Sequence, residues 1–245
     1  MSIIIRILRY DLTRKQILMC GRFTLASRAE TIADYFGIEE PLQLKPRYNI
    51  APSQDILVLR QLSEKPPQFV WMRWGLIPAW QKEEDIGSQW INARAETIDE
   101  KPLFKKLFQK KRCLIVVDGF YEWHVINKQV KQPYYICKKD HGPFVFAGLW
   151  EHWENKAGKI IESCTLLTTD ANNLLKPIHH RMPVILPKTD FNHWLDSEQQ
   201  DVKKIKNLLK SYNLSQFTAF PVSNYVNSPR NDNIQCITPL DEQLD

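Results

Sequence analysis

Hydrophobic and aromatic residues are concentrated in short segments of the chain, and most of these segments predict β-strands. The two longest are QFVWMRWGLI at 68–77 and CLIVVDGFYEW at 113–123, both rich in β-branched and aromatic residues. Five shorter segments predict further strands, namely QPYYICKK (132–139), PFVFAGLW (143–150), CTLLTTDA (164–171), MPVILP (182–187) and FTAFPVS (217–223).

Four other segments predict helices. KPLFKKLFQKK at 101–111 repeats leucine and phenylalanine at helical spacing, and Ser27 is a candidate N-cap for a helix over 28–38. Short helices are predicted at 190–196 and 201–212. Because strands outnumber helices and do not alternate with them regularly, the pattern predicts an α+β fold. We expect a single domain with a mostly antiparallel curved sheet or open β-barrel and peripheral helices.

The composition excludes several classes of protein. In 245 residues, 43% of them hydrophobic, no apolar run approaches the roughly 20 residues that cross a bilayer. None of the five cysteines lies within four residues of another, which argues against zinc knuckles, and their odd number without an export signal predicts a reducing cytoplasm. No glycine-rich nucleotide loop occurs among the eight glycines, so we expect no nucleotide cofactor. From the cysteine spacing and the short apolar runs we also expect no metal and no membrane partner, and we expect no other cofactor.

The net charge is only a weak indication of a nucleic-acid partner. The formal charge is +5, but the first 18 residues contribute four basic residues and one acid, which leaves +2 on the rest. An argument for DNA binding therefore depends on where individual arginines lie.

The segment MCGR at 19–22 resembles a second beginning of the chain. A secretion signal is a poor interpretation of residues 1–18, because Arg6 and Arg9 interrupt the apolar stretch and no small-residue cleavage site follows. A lipoprotein signal is equally poor, because Met19 stands where a small residue should precede the cysteine. A misplaced translation start and a genuine N-terminal strand or helix remain as alternatives.

Four stretches combine polar residues with unusual local chemistry: MCGRF (19–23), INARAET (91–97), GFYEW (119–123) and PIHHRMP (177–183). Each has an ordinary explanation when taken alone. A glutamate that ends a strand is often solvent-facing, paired histidines are often structural, an asparagine often makes a turn, and most arginines are surface charges.

Together the four stretches resemble the SOS response-associated peptidase family, also described as abasic-site processing proteins. The resemblance includes RYNIAP (47–52), WGLIPAW (74–80) and PVS (221–223), and it extends from Met19 nearly to the C-terminus. This chain departs from the family in one place, since the family's cysteine directly follows the initiator methionine. We therefore expect residues 1–18 to be a mis-annotated extension, residues 19–245 to be the domain, and Cys20 to be the true N-terminal residue.

The resemblance implies covalent capture of abasic sites in single-stranded DNA. The open form of an abasic deoxyribose carries an aldehyde, which a primary amine converts to a Schiff base. A thiol on the neighbouring carbon then closes a thiazolidine ring. Only an N-terminal cysteine offers both nucleophiles, and an internal Cys20 has an amide nitrogen that cannot form an imine.

The resemblance also implies the roles of individual residues. The expected catalytic residues are Cys20, Asn92, Glu122 and His179, and the expected DNA-binding residues are Arg22, Asn49, Arg94, Trp123 and Arg181. Glu122 would move protons, and its aromatic neighbours should raise its pKa by desolvation. Arg22 is a candidate cation for activating the thiol. Trp123 is as easily explained by packing as by base stacking, and for Trp74 packing is the stronger interpretation.

Three other functions remain as alternatives. Some glutamine amidotransferases also begin Met-Cys-Gly, but they need Asn-Gly loops soon afterwards, and this sequence contains no Asn-Gly pair. A cysteine peptidase has the right residue types but does not need a free α-amine. A non-covalent single-stranded DNA-binding protein would use the arginines and tryptophans alone. In every case we expect a cytoplasmic monomer.

Overall fold

Two β-sheets, four short α-helices and several 3-10 turns form the described part of the fold. The computed structural model describes residues 20–38, 43–63, 65–82, 90–199, 201–212 and 215–240. The predicted α+β class, with a mostly antiparallel sheet and peripheral helices, is confirmed. The expected extension at 1–18 lies outside the described residues.

The first sheet has five strands, and each of its pairings is antiparallel. Its spatial order is β12-β8-β7-β1-β2. The strands are β1 (Phe23–Leu25), β2 (Arg47–Ile50), β7 (Gly119–Val125), β8 (Lys131–Lys138) and β12 (Phe217–Pro221).

The second sheet has seven strands in a mostly antiparallel arrangement. They are β3 (Asp55–Arg60), β4 (Gln68–Trp74), β5 (Asn92–Arg94), β6 (Arg112–Val117), β9 (Phe144–Glu154), β10 (Ile160–Asp170) and β11 (Arg181–Pro183). The main path runs β11-β10-β4-β3-β6-β9, and β9 also pairs with β10. Strand β10 is parallel to both β4 and β5, which are the exceptions to the antiparallel pattern.

The helices lie where the periodicity predicts them, with shorter bounds. They are α1 (Ala29–Phe36), α2 (Pro102–Lys110), α3 (Phe191–Leu195) and α4 (Val202–Asn207). The capping role predicted for Ser27 is wrong. Arg28 occupies the N-cap position of α1, and its side chain makes no capping hydrogen bond. The Ser27 hydroxyl donates to Asp118 instead.

The segment 113–123 is two strands in different sheets, not the one strand predicted. It breaks at Asp118, whose carboxylate accepts hydrogen bonds from the backbone N–H groups of Ala26 and Ser27 as well as from the Ser27 hydroxyl. A side chain at Gly119 would collide with Tyr135, so the turn also requires a glycine. This break carries the second half of the segment into the five-stranded sheet, beside β1.

The apolar pattern also missed four strands, β1, β2, β3 and β5, and only the first two residues of MPVILP belong to β11. The largest apolar cluster of buried residues draws side chains from both sheets. Trp74 is fully buried in this cluster, and its ring centroid lies 4.9 Å from that of Phe23. Packing is therefore its role. No helix in the described part of the chain is long and apolar enough to cross a membrane.

Candidate functional site

Cys20 and Glu122 meet in the five-stranded sheet, where the chain enters β1 beside the middle of β7. Cys20 lies three residues before β1, which pairs with β7 through Phe23 and Phe120, and Glu122 follows on β7. The backbone nitrogen of Cys20 donates a hydrogen bond of 2.8 Å to the Glu122 Oε1 atom, and both residues are buried. A carboxyl group is thus placed directly on the nitrogen that the sequence nominates as a nucleophile.

Burial dominates the chemistry of Glu122. Desolvation raises the pKa of its carboxyl to about 8, although hydrogen bonds from the backbone of Cys20 and Trp123 act in the opposite direction. The rise expected from sequence is therefore confirmed. With the Cys20 nitrogen still an amide, the carboxyl is mostly protonated at neutral pH.

The Cys20 thiol is not activated by Arg22. Burial, and then the negative charge of Glu122, raises the pKa of the thiol well above its usual value. The expectation that Arg22 would increase the thiolate share is wrong, because the Arg22 guanidinium contacts the loop after β12 instead. The thiol is neutral in this structure.

The backbone of Cys20 is left-handed, with φ of 41°. Only glycine adopts such a conformation without steric cost, because positive φ brings Cβ close to the carbonyl of the preceding residue. This conformation occurs just before β1, at the residue whose nitrogen donates to Glu122.

Arg22 and Asn49 form one hydrogen-bonded unit with the segment 226–231. The Arg22 guanidinium donates to the Asn49 side-chain oxygen at 2.8 Å and to the carbonyls of Val226 and Asn227. The Asn49 amide is fully buried and donates to the carbonyls of Val226, Ser228 and Asn231. A direct contact between Asn49 and DNA stays a prediction, and it would require the amide to leave these partners.

Trp123 lies at the border between this unit and solvent. Its ring is partly exposed, and its indole nitrogen donates a hydrogen bond of 2.8 Å to the Asn227 side chain. The ring centroid is 6.4 Å from that of Tyr121. Trp123 is thus held by protein contacts on one side while part of its surface remains accessible for stacking.

Asn92 and Arg94 lie on the second sheet, on the same face of β5. Successive side chains of a strand alternate between faces, so these two share one face while Ala93 points into the core. Arg94 is exposed and makes no ion pair within the described ranges, whereas Asn92 is partly buried. Arg94 is therefore the predicted DNA-binding arginine that is most available to a phosphate.

His179 is bound by the backbone that follows it. Its Nδ1 atom lies 3.1 Å from the Arg181 nitrogen, from which it can accept a hydrogen bond, and 3.3 Å from the Arg181 carbonyl oxygen, to which it can donate one. Burial lowers the pKa of His179, a hydrogen bond from the charged ring to the Arg181 backbone opposes this, and His180 and nearby cations lower it further. The imidazole is therefore neutral at physiological pH.

Arg181 is buried and paired with two carboxylates. Its guanidinium donates to both oxygens of Glu96 at 2.7 and 2.8 Å, to Asp170 at 2.7 Å and to the Thr168 carbonyl. Burial alone would lower the pKa of Arg181, but the bonds to Glu96 and Asp170 raise it above its usual value. Phosphate binding by Arg181 stays a prediction, and a phosphate would compete with these carboxylates.

The two halves of the site share one apolar cluster. Cys20 belongs to the same cluster as Ile91, which precedes Asn92, and Met182, which follows Arg181. Lys131, at the start of β8, is among the cations that lower the pKa of His179, so this histidine lies within electrostatic range of the five-stranded sheet. The fold thus brings segments that are far apart in the sequence to one apolar cluster, to which Cys20 also belongs.

Sequence reasoning did not nominate Glu96, Asp170 or Asn227. Glu96 lies within the quoted INARAET stretch, so its motif was a signal, whereas nothing local marks the other two. Among the described residues, no group of three histidine, cysteine or acidic side chains is arranged to hold a metal ion.

Comparison with known proteins identifies the family. Residues 19–229 match the family described as SOS response associated peptidase (SRAP). The abasic site processing protein YoqW of Bacillus subtilis is 42% identical over 222 residues, which cover 89% of this chain and 99% of that protein. The abasic site processing protein HMCES of Xenopus tropicalis is 33% identical, with 80% and 67% covered.

A solved structure agrees with these sequence relatives. The crystal structure of a protein from Bacteroides thetaiotaomicron superimposes with a TM-score of 0.79 at 28% identity, covering 90% of this chain and 99% of that one. The match to the family spans most of the chain and includes each site residue predicted from the sequence. This chain therefore belongs to the SRAP family.

Proposed function

We propose that this protein captures abasic sites in single-stranded DNA as a covalent thiazolidine at Cys20. The observation that carries the proposal is the 2.8 Å hydrogen bond between the Cys20 nitrogen and the Glu122 carboxyl. A general acid–base group beside that nitrogen can transfer protons if the nitrogen is a reacting amine, whereas an amide nitrogen does not take part in such transfers. The names of the relatives, abasic site processing proteins, agree with this substrate.

The first step is attack of the Cys20 amine on the sugar aldehyde. Once Cys20 is N-terminal, its ammonium group adjoins Glu122 and favours the ionised carboxylate, so the pKa of Glu122 falls from about 8. The carboxylate then removes a proton from the ammonium, and the free amine adds to the aldehyde carbon. Glu122 returns that proton to the carbinolamine hydroxyl, which leaves as water and gives the iminium.

The thiol closes the ring in the second step. The Cys20 thiol is neutral at first, because burial and Glu122 raise its pKa. A positive iminium on the adjacent carbon opposes that rise and favours loss of the thiol proton to Glu122. Sulfur then bonds to the former aldehyde carbon, so the whole reaction joins aldehyde and cysteine with loss of one water.

His179 and Asn92 assist on the sugar side. The neutral His179 ring carries one proton, which it can donate to the ring oxygen as the closed sugar opens to the aldehyde. Asn92 presents an amide from β5 toward the same face as Arg94, where it would hold the sugar or the amine by hydrogen bonds. Both residues are held by the second sheet, Asn92 on β5 and His179 two residues before β11.

The DNA backbone would be held mainly by Arg94 and Arg22, with Trp123 against a base beside the lesion. Arg94 is exposed, and Arg22 retains partial exposure while bound to Asn49. Arg181 and Asn49 would contact DNA only after giving up one of their present hydrogen-bond partners. In this structure the Arg181 backbone contacts the His179 ring, and the Asn49 amide holds the 226–231 segment.

The proposal requires that Cys20 be the first residue of the mature protein. The test is the intact mass of protein expressed from its native gene context, before and after mixing with a single-stranded oligonucleotide that contains one abasic site. We expect a mass that begins at Cys20 and then a gain of the oligonucleotide less one water. A mass that retains residues 1–19 together with no adduct would contradict the proposal.

Arg94→Ala is expected to weaken DNA binding and to flatten its salt dependence. Loss of one phosphate contact on a single strand should reduce the slope of log K against log salt by about 0.7. Binding of the abasic oligonucleotide would be measured by fluorescence anisotropy from low to moderate salt, with the exposed Lys156→Ala as control. An unchanged slope in Arg94→Ala would remove this residue from the phosphate contacts.

A further inference from the structure

A groove outside the proposed reaction site contains an exposed tryptophan among basic side chains. Trp71, on β4, leaves 52% of its surface exposed. It lines a cavity of about 720 Å³ together with Ala26–Glu30 and 43–47. Large aromatic side chains are usually buried, so a half-exposed tryptophan in a concave site indicates a ligand with a flat face.

The charges of this Trp71 groove favour an anionic ligand. Arg28 and Lys45 are exposed and make no ion pair among the residues that the structure describes, while Arg47 pairs with Asp232 at 3.1 Å. Glu30 is the one acidic residue in the lining. Basic side chains around an exposed ring are what single-stranded nucleic acid needs, since the cations hold phosphates and the ring stacks on a base.

The groove is linked to the reaction site through β1 and through the contacts of Asp232. Ala26 is six residues beyond Cys20 across β1, which is at most roughly 20 Å at strand spacing. At the far side, Asp232 accepts from Arg47 and from the backbone of Tyr48 and Asn49, the residue that holds Arg22. At about 3.4 Å per nucleotide, a strand bound at Cys20 would reach the groove with about six nucleotides of flank.

We infer that the Trp71 groove is a second binding site for single-stranded DNA, which holds the strand that leaves the reaction site. The inference rests on the proposed function, because it needs DNA at Cys20. It adds a specific consequence. Affinity should rise when the flank on one side of the lesion becomes long enough to reach Trp71, while the chemistry at Cys20 should not depend on the groove.

The test compares oligonucleotides with one abasic site and flanks of three or twelve nucleotides, extended on the 5′ or the 3′ side separately. We expect the longer flank on one side to increase affinity about tenfold, as base stacking on an aromatic ring does, and Trp71→Ala to remove that increase. Trp71→Phe should retain part of it. Capture of the short oligonucleotide should be unchanged in both variants, and Ile160→Ala, which removes an equally exposed apolar side chain elsewhere, serves as control.

The outcomes separate the two proposals. Absence of an adduct with the short oligonucleotide in the wild type would overturn the proposed function. A normal adduct together with equal affinity for short and long flanks, or a flank effect that survives in Trp71→Ala, would overturn the groove alone. If the flank has no effect and an acidic peptide instead binds in a manner that Trp71→Ala abolishes, the groove belongs to a protein partner.

Discussion

Cys20→Ala is expected to abolish the heat-stable DNA adduct while leaving DNA binding intact. The substitution keeps the terminal amine, which can still form a Schiff base, but removes the sulfur that closes the ring. The stable adduct should fall by on the order of 10³-fold or more, measured on denaturing gels after heating. Borohydride should rescue a cross-link in Cys20→Ala, because it reduces the imine before hydrolysis.

The matched control for this experiment is Cys137→Ala. Cys137 is also a buried cysteine, but it lies on β8 away from the Cys20 nitrogen, so its removal should leave capture unchanged. A heat-stable adduct in Cys20→Ala without reductant would show that another residue forms the bond, and the thiazolidine assignment would be wrong.

Glu122→Gln is expected to slow capture far more than it weakens DNA binding. Glutamine preserves the shape of the side chain and can still accept the hydrogen bond from the Cys20 nitrogen, but it cannot exchange protons. Loss of a general acid–base group typically costs about 10²–10⁴-fold in rate. Rapid-mixing kinetics on a saturating abasic oligonucleotide would measure this, with the exposed Glu154→Gln as control. Equal losses in rate and affinity would identify Glu122 as a structural residue.

The same variant should change how stability depends on pH. In the chain that retains residues before Cys20, the pKa of Glu122 is about 8, well above that of an ordinary glutamate. The native state therefore keeps a proton that the unfolded state loses, and stability is lost as the pH rises from the unfolded value toward 8. The expected loss is about 1.4 kcal/mol per pH unit within this window.

Chemical denaturation between pH 5 and pH 8 would show this slope in the unprocessed chain. Glu122→Gln should flatten it, because glutamine does not titrate. The slope should also be smaller in protein that begins at Cys20, since the adjacent ammonium favours the carboxylate. Identical slopes in all three proteins would mean that Glu122 does not carry the raised pKa.

Local patterns predicted much of the fold but not the connection that builds the site. Helix α2 follows from leucine and phenylalanine spacing, and the strands β4, β8, β9 and β10 from apolar runs. The break at Asp118 was not predictable, because the apolar run around it is continuous and the cause lies in partners about 90 residues away, at Ala26 and Ser27. The short strands β1 and β5 gain their structure from pairing, not from their own composition.

The candidate site shows the same division between local and distant information. The raised pKa of Glu122 was predictable from its aromatic neighbours in GFYEW. The ion pair between Arg181 and Glu96 was not predictable, because the two residues are 85 positions apart and only the fold brings them together. For the same reason the sequence did not reveal that Asn49 is buried beneath the 226–231 segment.

The left-handed backbone of Cys20 would have a consequence for maturation under the proposed function. A residue with a Cβ in this conformation costs about 1 kcal/mol relative to the right-handed region. The first residue of a chain has no φ angle, so a mature protein that begins at Cys20, as proposed, would not carry this cost. On that proposal, excision of the preceding methionine would create the reactive amine and relieve the backbone of Cys20 in one step.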